Sequence, residues 1–302
     1  MTTTFRIGKL FHLTPLVDSF SDAEFFFQSV FAPVCMMRNY SAHWHRQGAI
    51  YVIAETAIEP MQPLAPRSGE QGTSWYRYMD QYGPHVHNLA FYVDDVEALD
   101  RRLTGAGVRT TDGGAPGPGG TVFAHPKDTA PMLEFSQLDG ESGLRAADPR
   151  FAEHWENFRA EFWGARHPLG LRRLSHVTVV VYDADEVAGF YTGVLDATEL
   201  PEQPSTVGDA TARFVLVGED TVVELAQPRD PESDIGRELA TVGQCVTHAT
   251  FTVRDVVAAR EWLQLVAAPV HHAHEHDVLL DPARTWNLQY RFTDRTLAGD
   301  PR

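Results

Sequence analysis

The sequence predicts an α+β fold of four βαβββ units paired into two halves, and three observations carry that prediction. Residues 11–31, FHLTPLVDSFSDAEFFFQSVF, align without a gap on residues 175–195, SHVTVVVYDADEVAGFYTGVL. His12 falls on His176, Thr14 on Thr178, Phe26 on Phe190 and Val30 on Val194, always 164 positions apart. Residues 88–100, NLAFYVDDVEALD, match residues 248–260, HATFTVRDVVAAR. Each of these four segments is followed by further strand-like runs, so the same plan is used four times.

The elements follow in order. Each segment opens with an alternating or β-branched run, which reads as a strand. Each then passes an Asp or Ser cluster, an N-cap signal, into an amphipathic helix. The later strands are AIYVIAETAIEPM (49–61), TVFAHP and PMLEFSQ (within 121–137), ARFVLV and TVVELAQP (within 212–228), and DVLLDP and WNLQYRF (within 277–292). GGAPGPGG, residues 113–120, reads as a loop between strands. The expected division is a first domain over 1–139, a linker over 140–170 and a second domain over 171–302. Within the linker Phe151, Trp155, Phe158 and Phe162 recur at helical spacing, which predicts a short helix packed on one domain.

Composition sets the function classes. At 302 residues, with 43% hydrophobic and 22% charged residues, the chain suits two soluble globular domains. A formal net charge of −16 disfavours nucleic acid or an anionic membrane as partner. Two cysteines, Cys35 and Cys245, are too few for a disulfide framework and fit a reducing compartment. The first ten residues lack a signal-peptide pattern, and no run of 18 apolar residues occurs. The expectation is a cytoplasmic protein acting on a small molecule, with a homodimer left open.

Histidines and glutamates recur at matching places. Glu59, Glu134 and Glu224 end the last strands of the first three units, and Gln289 is read in that place in the fourth. His12, His176 and His248 lie in first strands, and His85 and His87 precede Asn88 in the second unit. The separations are 47 from His12 to Glu59, 47 from His87 to Glu134, 48 from His176 to Glu224 and 41 from His248 to Gln289. Imidazole and carboxylate ligands from paired units suit one divalent first-row ion with positions left open for substrate. The bland alternative for any one of them is a satisfied structural residue.

On these residues the chain resembles the vicinal oxygen chelate superfamily, which includes glyoxalase I, methylmalonyl-CoA epimerase, extradiol dioxygenases and bleomycin and fosfomycin resistance proteins. FAHPKDTAPMLEF, residues 123–135, resembles the HPK-containing last hairpin of the epimerases. RELATVGQCVTHATFTV, residues 237–253, has their helix-to-strand cadence. The resemblance covers nearly the whole chain outside the linker. It implies two half-open barrels, with one divalent metal ion (Zn, Ni, Co, Mn or Fe) in at least one of them. The first set would be His12, Glu59, His87 and Glu134, and the second His176, Glu224, His248 and Gln289. In the strand match, however, His248 aligns with Asn88. Either a bulge re-aims His87 or Asn88 stands in the ligand position. Gln289 offers a carbonyl oxygen but no base.

The leading expectation is a metal-dependent lyase or isomerase, in which the ion polarises a carbonyl or paired oxygens and Glu134 or Glu59 moves a proton. An Fe(II) extradiol dioxygenase is the alternative, weakened by Gln289 and by Phe123 and Leu280 near places where relatives carry a tyrosine. A non-catalytic binding or resistance protein is the third. HHAHEHD (271–277) and the pair His43 and His45 are read as exposed hairpins or as proton carriers over a site. Trp75, Tyr76, Tyr78 and Tyr82 are read as pocket lining or core.

Overall fold

The computed structural model describes residues 5–42, 45–66, 71–112, 120–140 and 143–302. The strands of the first half are β1 (Ile7–Pro15), β2 (Val34–Ser41), β3 (Arg46–Ile53), β4 (Thr56–Ile58), β5 (Met61–Pro63), β6 (Val86–Val93), β7 (Thr110–Asp112), β8 (Thr121–Ala124) and β9 (Met132–Gln137). Those of the second are β10 (Leu171–Val180), β11 (Thr198–Glu199), β12 (Ala210–Val217), β13 (Thr221–Pro228), β14 (Cys245–Val253), β15 (Val270–Ala273), β16 (Asp277–Leu280) and β17 (Gln289–Thr293). The helices are α1 (Phe20–Phe31), α2 (Ser74–Tyr82), α3 (Val96–Gly105), α4 (Pro126–Thr129), α5 (Leu144–Ala147), α6 (Trp155–Arg159), α7 (Ala184–Val194), α8 (Asp234–Val242) and α9 (Val256–Leu265). His43 and most of the GGAPGPGG loop lie outside the described residues.

One sheet runs β2-β3-β4-β1-β6-β9-β8-β7, with β5 beside β3, and the other runs β11-β12-β13-β10-β14-β17-β16-β15. Apart from β5, the orders match strand for strand, as the fourfold βαβββ reading requires. The caps match as well. Ser19, Asp95, Asp183 and Asp255 each accept a bond from a backbone N–H in the first turn of α1, α3, α7 and α9. These side chains satisfy donors that have no partner inside the helix.

The central seam of each sheet is antiparallel and carries matched bulges. In β1–β6 the register passes from Leu10↔Phe91 to His12↔Ala90, leaving Phe11 as the extra residue. In β10–β14 it passes from Leu174↔Phe251 to His176↔Thr250, leaving Ser175 extra. A second bulge lies on the partner strand, at His87 in β6 and at Thr247 in β14.

The halves share one core. Phe31 of α1 packs against Phe251, Tyr290 and Phe292 of the second sheet, and all four are buried. The segment between the halves packs on both of them, not on one. Trp155 Nε1 donates to Ala54 O at 3.0 Å and Trp163 Nε1 to Phe31 O at 2.8 Å. From the other side, Arg254 donates to Gly164 O at 2.9 Å and the Trp262 ring meets His167. Of the aromatic stripe read as one helix, Phe151 ends a separate 3-10 turn (Pro149–Phe151), and Trp155, Phe158 and Phe162 lie on α6 and the π-helical turn over Ala160–Arg166 that follows it.

Reciprocal polar contacts tie the first strands together across this interface. Asp220 Oδ1 accepts from Leu10 N at 2.9 Å, and Glu55 accepts from Leu174 N. Gly218, at φ +62°, lies where a Cβ would run into the Gly8 carbonyl, so the β12–β13 turn reaches β1 only as glycine.

Trp163→Ala is expected to cost about 3–5 kcal/mol, the range for a fully buried large aromatic. Because Trp163 is packed between the halves, urea unfolding followed by tryptophan fluorescence and by far-UV circular dichroism is expected to remain a single coincident transition shifted to lower denaturant.

Candidate functional site

Register builds the first-half site. His12 on β1 lies opposite Ala90 on β6, and Ala90 lies beside Glu134 on β9. The methyl of Ala90 does not fill the space between them, so imidazole and carboxylate face each other, His12 Nε2 to Glu134 Oε1, at 3.9 Å. One row along, Thr14, Asn88 and Met132 are in register. Asn88 Nδ2 donates to Glu134 Oε2 at 2.9 Å, and Ser136 Oγ reaches Oε1 at 3.3 Å. Glu59, just past β4, approaches the other ring nitrogen of His12: Nδ1 lies 3.5 Å from Glu59 Oε2 and 2.8 Å from Thr14 Oγ1. Arg46 stands 3.4 Å behind Glu59. The two glutamates therefore flank opposite nitrogens of one imidazole.

His87 occupies the β6 bulge. The bulge turns it toward the cavity beside Asn88, with Nδ1 3.0 Å from Asn88 Oδ1. The rings of Trp75 and Tyr78 on α2 pack edge-on against it. Asn88 is thus the residue in line with His248, since both pair with the threonine of the preceding strand, Thr14 and Thr178. His85 points elsewhere and bonds Glu238 of α8 at 2.6 Å.

These groups sit in a cavity of about 690 Å³ lined also by Phe11, Trp75, Phe123 and Met132. Burial, helped by Arg46 and Arg150, pushes His12 down to about 3, and burial lowers His87 to about 4, so both imidazoles are neutral. Burial first, and the charge of Glu59 second, raise Glu134 to about 7. Burial also raises Glu59, with Arg46 opposing. Arg46 is the cation beside Glu59; among the described residues no arginine or lysine forms an ion pair with Glu134. A buried carboxylate without a counter-cation, facing a neutral imidazole, is donor chemistry that fits a divalent ion. As they stand, no three His, Cys, Asp or Glu side chains among the described residues are grouped to hold one.

The second half repeats the cluster with its charges paired. Glu224 lies in register with Thr178 and is tied by Thr178 Oγ1 at 2.8 Å, Ser205 Oγ at 2.7 Å and the Thr206 N–H at 2.8 Å. His176 Nε2 stands 3.4 Å from it and 3.0 Å from Thr206 Oγ1. Burial alone would raise Glu224, but these bonds, His176 first, reverse it to about 2. His248 is lowered to about 4 by burial.

The register corrects the reading of Gln289. Gln289 lies beside His248, the place that Met132 takes beside Asn88. Arg291, beside Thr250, stands where Glu134 stands. Its guanidinium bonds Asp277 at 2.9 Å and the Thr206 carbonyl. A cation in the place of the carboxylate does not fit a metal ion. The short 41-residue spacing from His248 to Gln289 was the available signal. Aligning LEF (133–135) with YRF (290–292) pairs Glu134 with Arg291.

The remaining candidates fall outside the cluster. His271, His272 and His274 are exposed on or beside the edge strand β15, and His276 bonds Asp294. Of the α2 aromatics, Trp75 lines the cavity, and Tyr78 packs on His87 and Tyr82. His125, of the HPK hairpin, caps α4 and lines the cavity.

The shift of Glu134 gives a pH prediction for ion-free protein. A carboxyl raised on folding adds stability that is full below its unfolded value near 4.5 and is lost as pH rises through about 7. Thermal melts between about pH 5 and 8 are expected to show that loss in the native chain and less of it in Glu134→Gln.

Comparison with known proteins agrees with this architecture. A family model described as "Glyoxalase-like domain" matches residues 38–195, about half of the chain, and "Glyoxalase/Bleomycin resistance protein/Dioxygenase superfamily" matches 173–279. No curated protein sequence matches. A triple mutant of 4-hydroxymandelate synthase from Streptomyces coelicolor superposes with TM-score 0.71 at 18% identity, over 97% of this chain and 95% of that one. An extradiol ring-cleaving dioxygenase from B. fuscum gives 0.58 at 14% identity, over 98% and 73%. The 2,3-dioxygenase LapB from Pseudomonas sp. KL28 gives 0.58 at 13% identity, over 98% and 94%. With the repeated sheets and these matches together, the chain belongs to the glyoxalase/bleomycin resistance protein/dioxygenase superfamily, as a tandem member with two vicinal-oxygen-chelate halves.

Proposed function

We propose that the first half is a metal-dependent proton-transfer site of the lyase or isomerase type and that the second half is not catalytic. One observation carries this reading: His12 and Glu134 face each other in an open cavity, while the matching place in the second half holds Arg291. His12 Nε2 and Glu134 would hold the ion, with the Asn88 amide or His87 as the next donor. Glu59 and Thr14 sit at Nδ1 and fix the ring, the outer-shell role that orients a ligating imidazole. When bound, the ion supplies Lewis-acid polarisation of a substrate carbonyl or paired oxygens.

The chain's own groups do the rest. Phe11, Trp75, Phe123 and Met132 give an apolar wall that takes up the body of a small molecule and excludes water. Glu134, the buried carboxylate that faces the cavity, takes a proton from a carbon next to the carbonyl and returns it. Asn88 and Ser136 hold that carboxylate in place through hydrogen bonds.

A second reading, an Fe(II) ring-cleaving dioxygenase, is favoured by one feature. His12, His87 and Glu134 bring two imidazoles and one carboxylate to a single cavity, the donor count such an enzyme needs. A ring-cleavage product from a catechol under air, absent in His87→Ala, would select it over proton transfer.

Elemental analysis and isothermal titration of untagged protein are expected to find one divalent ion per chain. His12→Ala is expected to abolish the site, and Glu59→Gln to weaken it about 10–100-fold. His176→Ala and His248→Ala are expected to leave the stoichiometry unchanged. Wild-type protein that takes up no divalent ion would overturn the reading.

A further inference from the structure

The tripeptide Asp-Pro-Arg occurs twice, at 148–150 and 300–302, and the two copies make the same contacts in the two halves. Arg150 Nη1 donates to Leu10 O at 2.7 Å and to Glu55 O at 3.2 Å, and Nη2 to Phe11 O at 3.1 Å. Arg302 Nη1 donates to Leu174 O at 3.4 Å and to Asp220 O, and Nη2 to Ser175 O at 2.6 Å. Leu10 and Phe11 correspond to Leu174 and Ser175 by the 164-residue offset of the repeat. In each copy the aspartate two residues earlier pairs with the guanidinium, Asp148 with Arg150 and Asp300 with Arg302.

These carbonyls belong to the first-strand bulge. The extra residue, Phe11 or Ser175, has no partner on the neighbouring strand, so its carbonyl needs another donor. A guanidinium supplies a planar fork of donors and takes two successive carbonyls at once. The bulge decides where the next side chain points, because one residue more or less would turn it to the opposite face. That next residue is His12 in one half and His176 in the other.

In the first half the contact extends to the ring itself. The Phe11 side chain meets His12 at 4.4 Å and stacks on Tyr92 at 4.5 Å, and the Tyr92 hydroxyl donates to Asp148 at 2.9 Å. In the second half Asp300 is instead bound by Arg173 at 2.9 Å.

We propose that Asp148 and Arg150 are positioning residues: they lock the β1 bulge and the Phe11–Tyr92 stack, and so aim His12 at Glu134. The role rests on the reading of the first half as the working site. Arg302 is a built-in control, since it makes the same backbone contacts in the second half.

The test compares Arg150→Gln and Arg150→Lys with Arg302→Gln at one fixed pH. Long-range ¹⁵N–¹H correlation spectra of the imidazoles report tautomer and hydrogen bonding, and His12→Gln assigns the His12 signals. The expected result is a single fixed His12 tautomer in the native chain and a mixture in both Arg150 variants. In Arg302→Gln the His12 signals stay and those of His176 move. Titration with Zn²⁺ or Mn²⁺ is expected to weaken at least about tenfold in Arg150→Gln and to stay within about twofold in Arg302→Gln. If Arg150→Gln does not fold, the lysine variant, which keeps the charge but loses the fork, carries the measurement. Unchanged His12 signals in the Arg150 variants would overturn the proposal, as would equal effects of Arg150 and Arg302 on His12. A native chain that binds no ion yet shows the tautomer change would sink the metal reading and keep the positioning role.

Discussion

The two bulged first strands are the constraint on which the rest of the molecule rests. A bulge leaves a carbonyl without a ladder partner, and in this interior no solvent replaces it. Buried guanidinium forks fill that need in both halves. The same strands lend their N–H groups across the interface, Leu10 to Asp220 and Leu174 to Glu55. Sheet, interface and site geometry are therefore set by the same few backbone groups. A buried arginine is tolerable here because an aspartate neutralises it and carbonyls accept its remaining hydrogens.

Given a common backbone, the two halves solve opposite electrostatic problems. The second buries a glutamate and surrounds it with hydroxyls, an amide N–H and a histidine, then adds Arg291 paired with Asp277. Glu224, Arg291 and Asp277 each have a partner there. The first half leaves Glu134 with only neutral donors and an open volume beside it. Burying a carboxylate that way costs stability unless it is protonated or an ion joins it. A self-neutralised cluster is suited to a structural role, while an open cluster that lacks a counter-charge is suited to taking up a ligand.

Much of the architecture was legible because it recurs. The gapless match of 11–31 on 175–195 and the repeated capping residues gave the unit, its helices and its order. His12, Glu59, Glu134, His176, Glu224 and His248 are visible in the sequence as recurring polar positions on strands or, for Glu59, at a strand end. The finer assignments depended on register, which sequence spacing conveys poorly. A one-residue bulge moved His87 toward the cavity while Asn88 kept the in-line place. Gln289 resembles glutamate in shape, although the residue two positions later stands in the glutamate's row. The Asp-Pro-Arg copies are 152 residues apart, out of step with the 164 of the first strands, so the repeat offset does not bring them into line. The aromatic stripe of the middle segment gave a helix but not its two-sided packing, since periodicity identifies an apolar face and not what covers it.

The reciprocal contacts between Leu10 and Asp220 and between Leu174 and Glu55 have the form of an isologous interface, in which each partner offers the other the same patch. In a dimer of identical subunits every substitution is made twice, so an arginine that fills one pocket would fill its twin. Joining the two copies in one chain removes that restriction. One half can pair its charges for rigidity while the other keeps its open volume and its unbalanced charge. The covalent connection thus allows asymmetry, and asymmetry separates the residues that hold the molecule together from those free to meet a ligand.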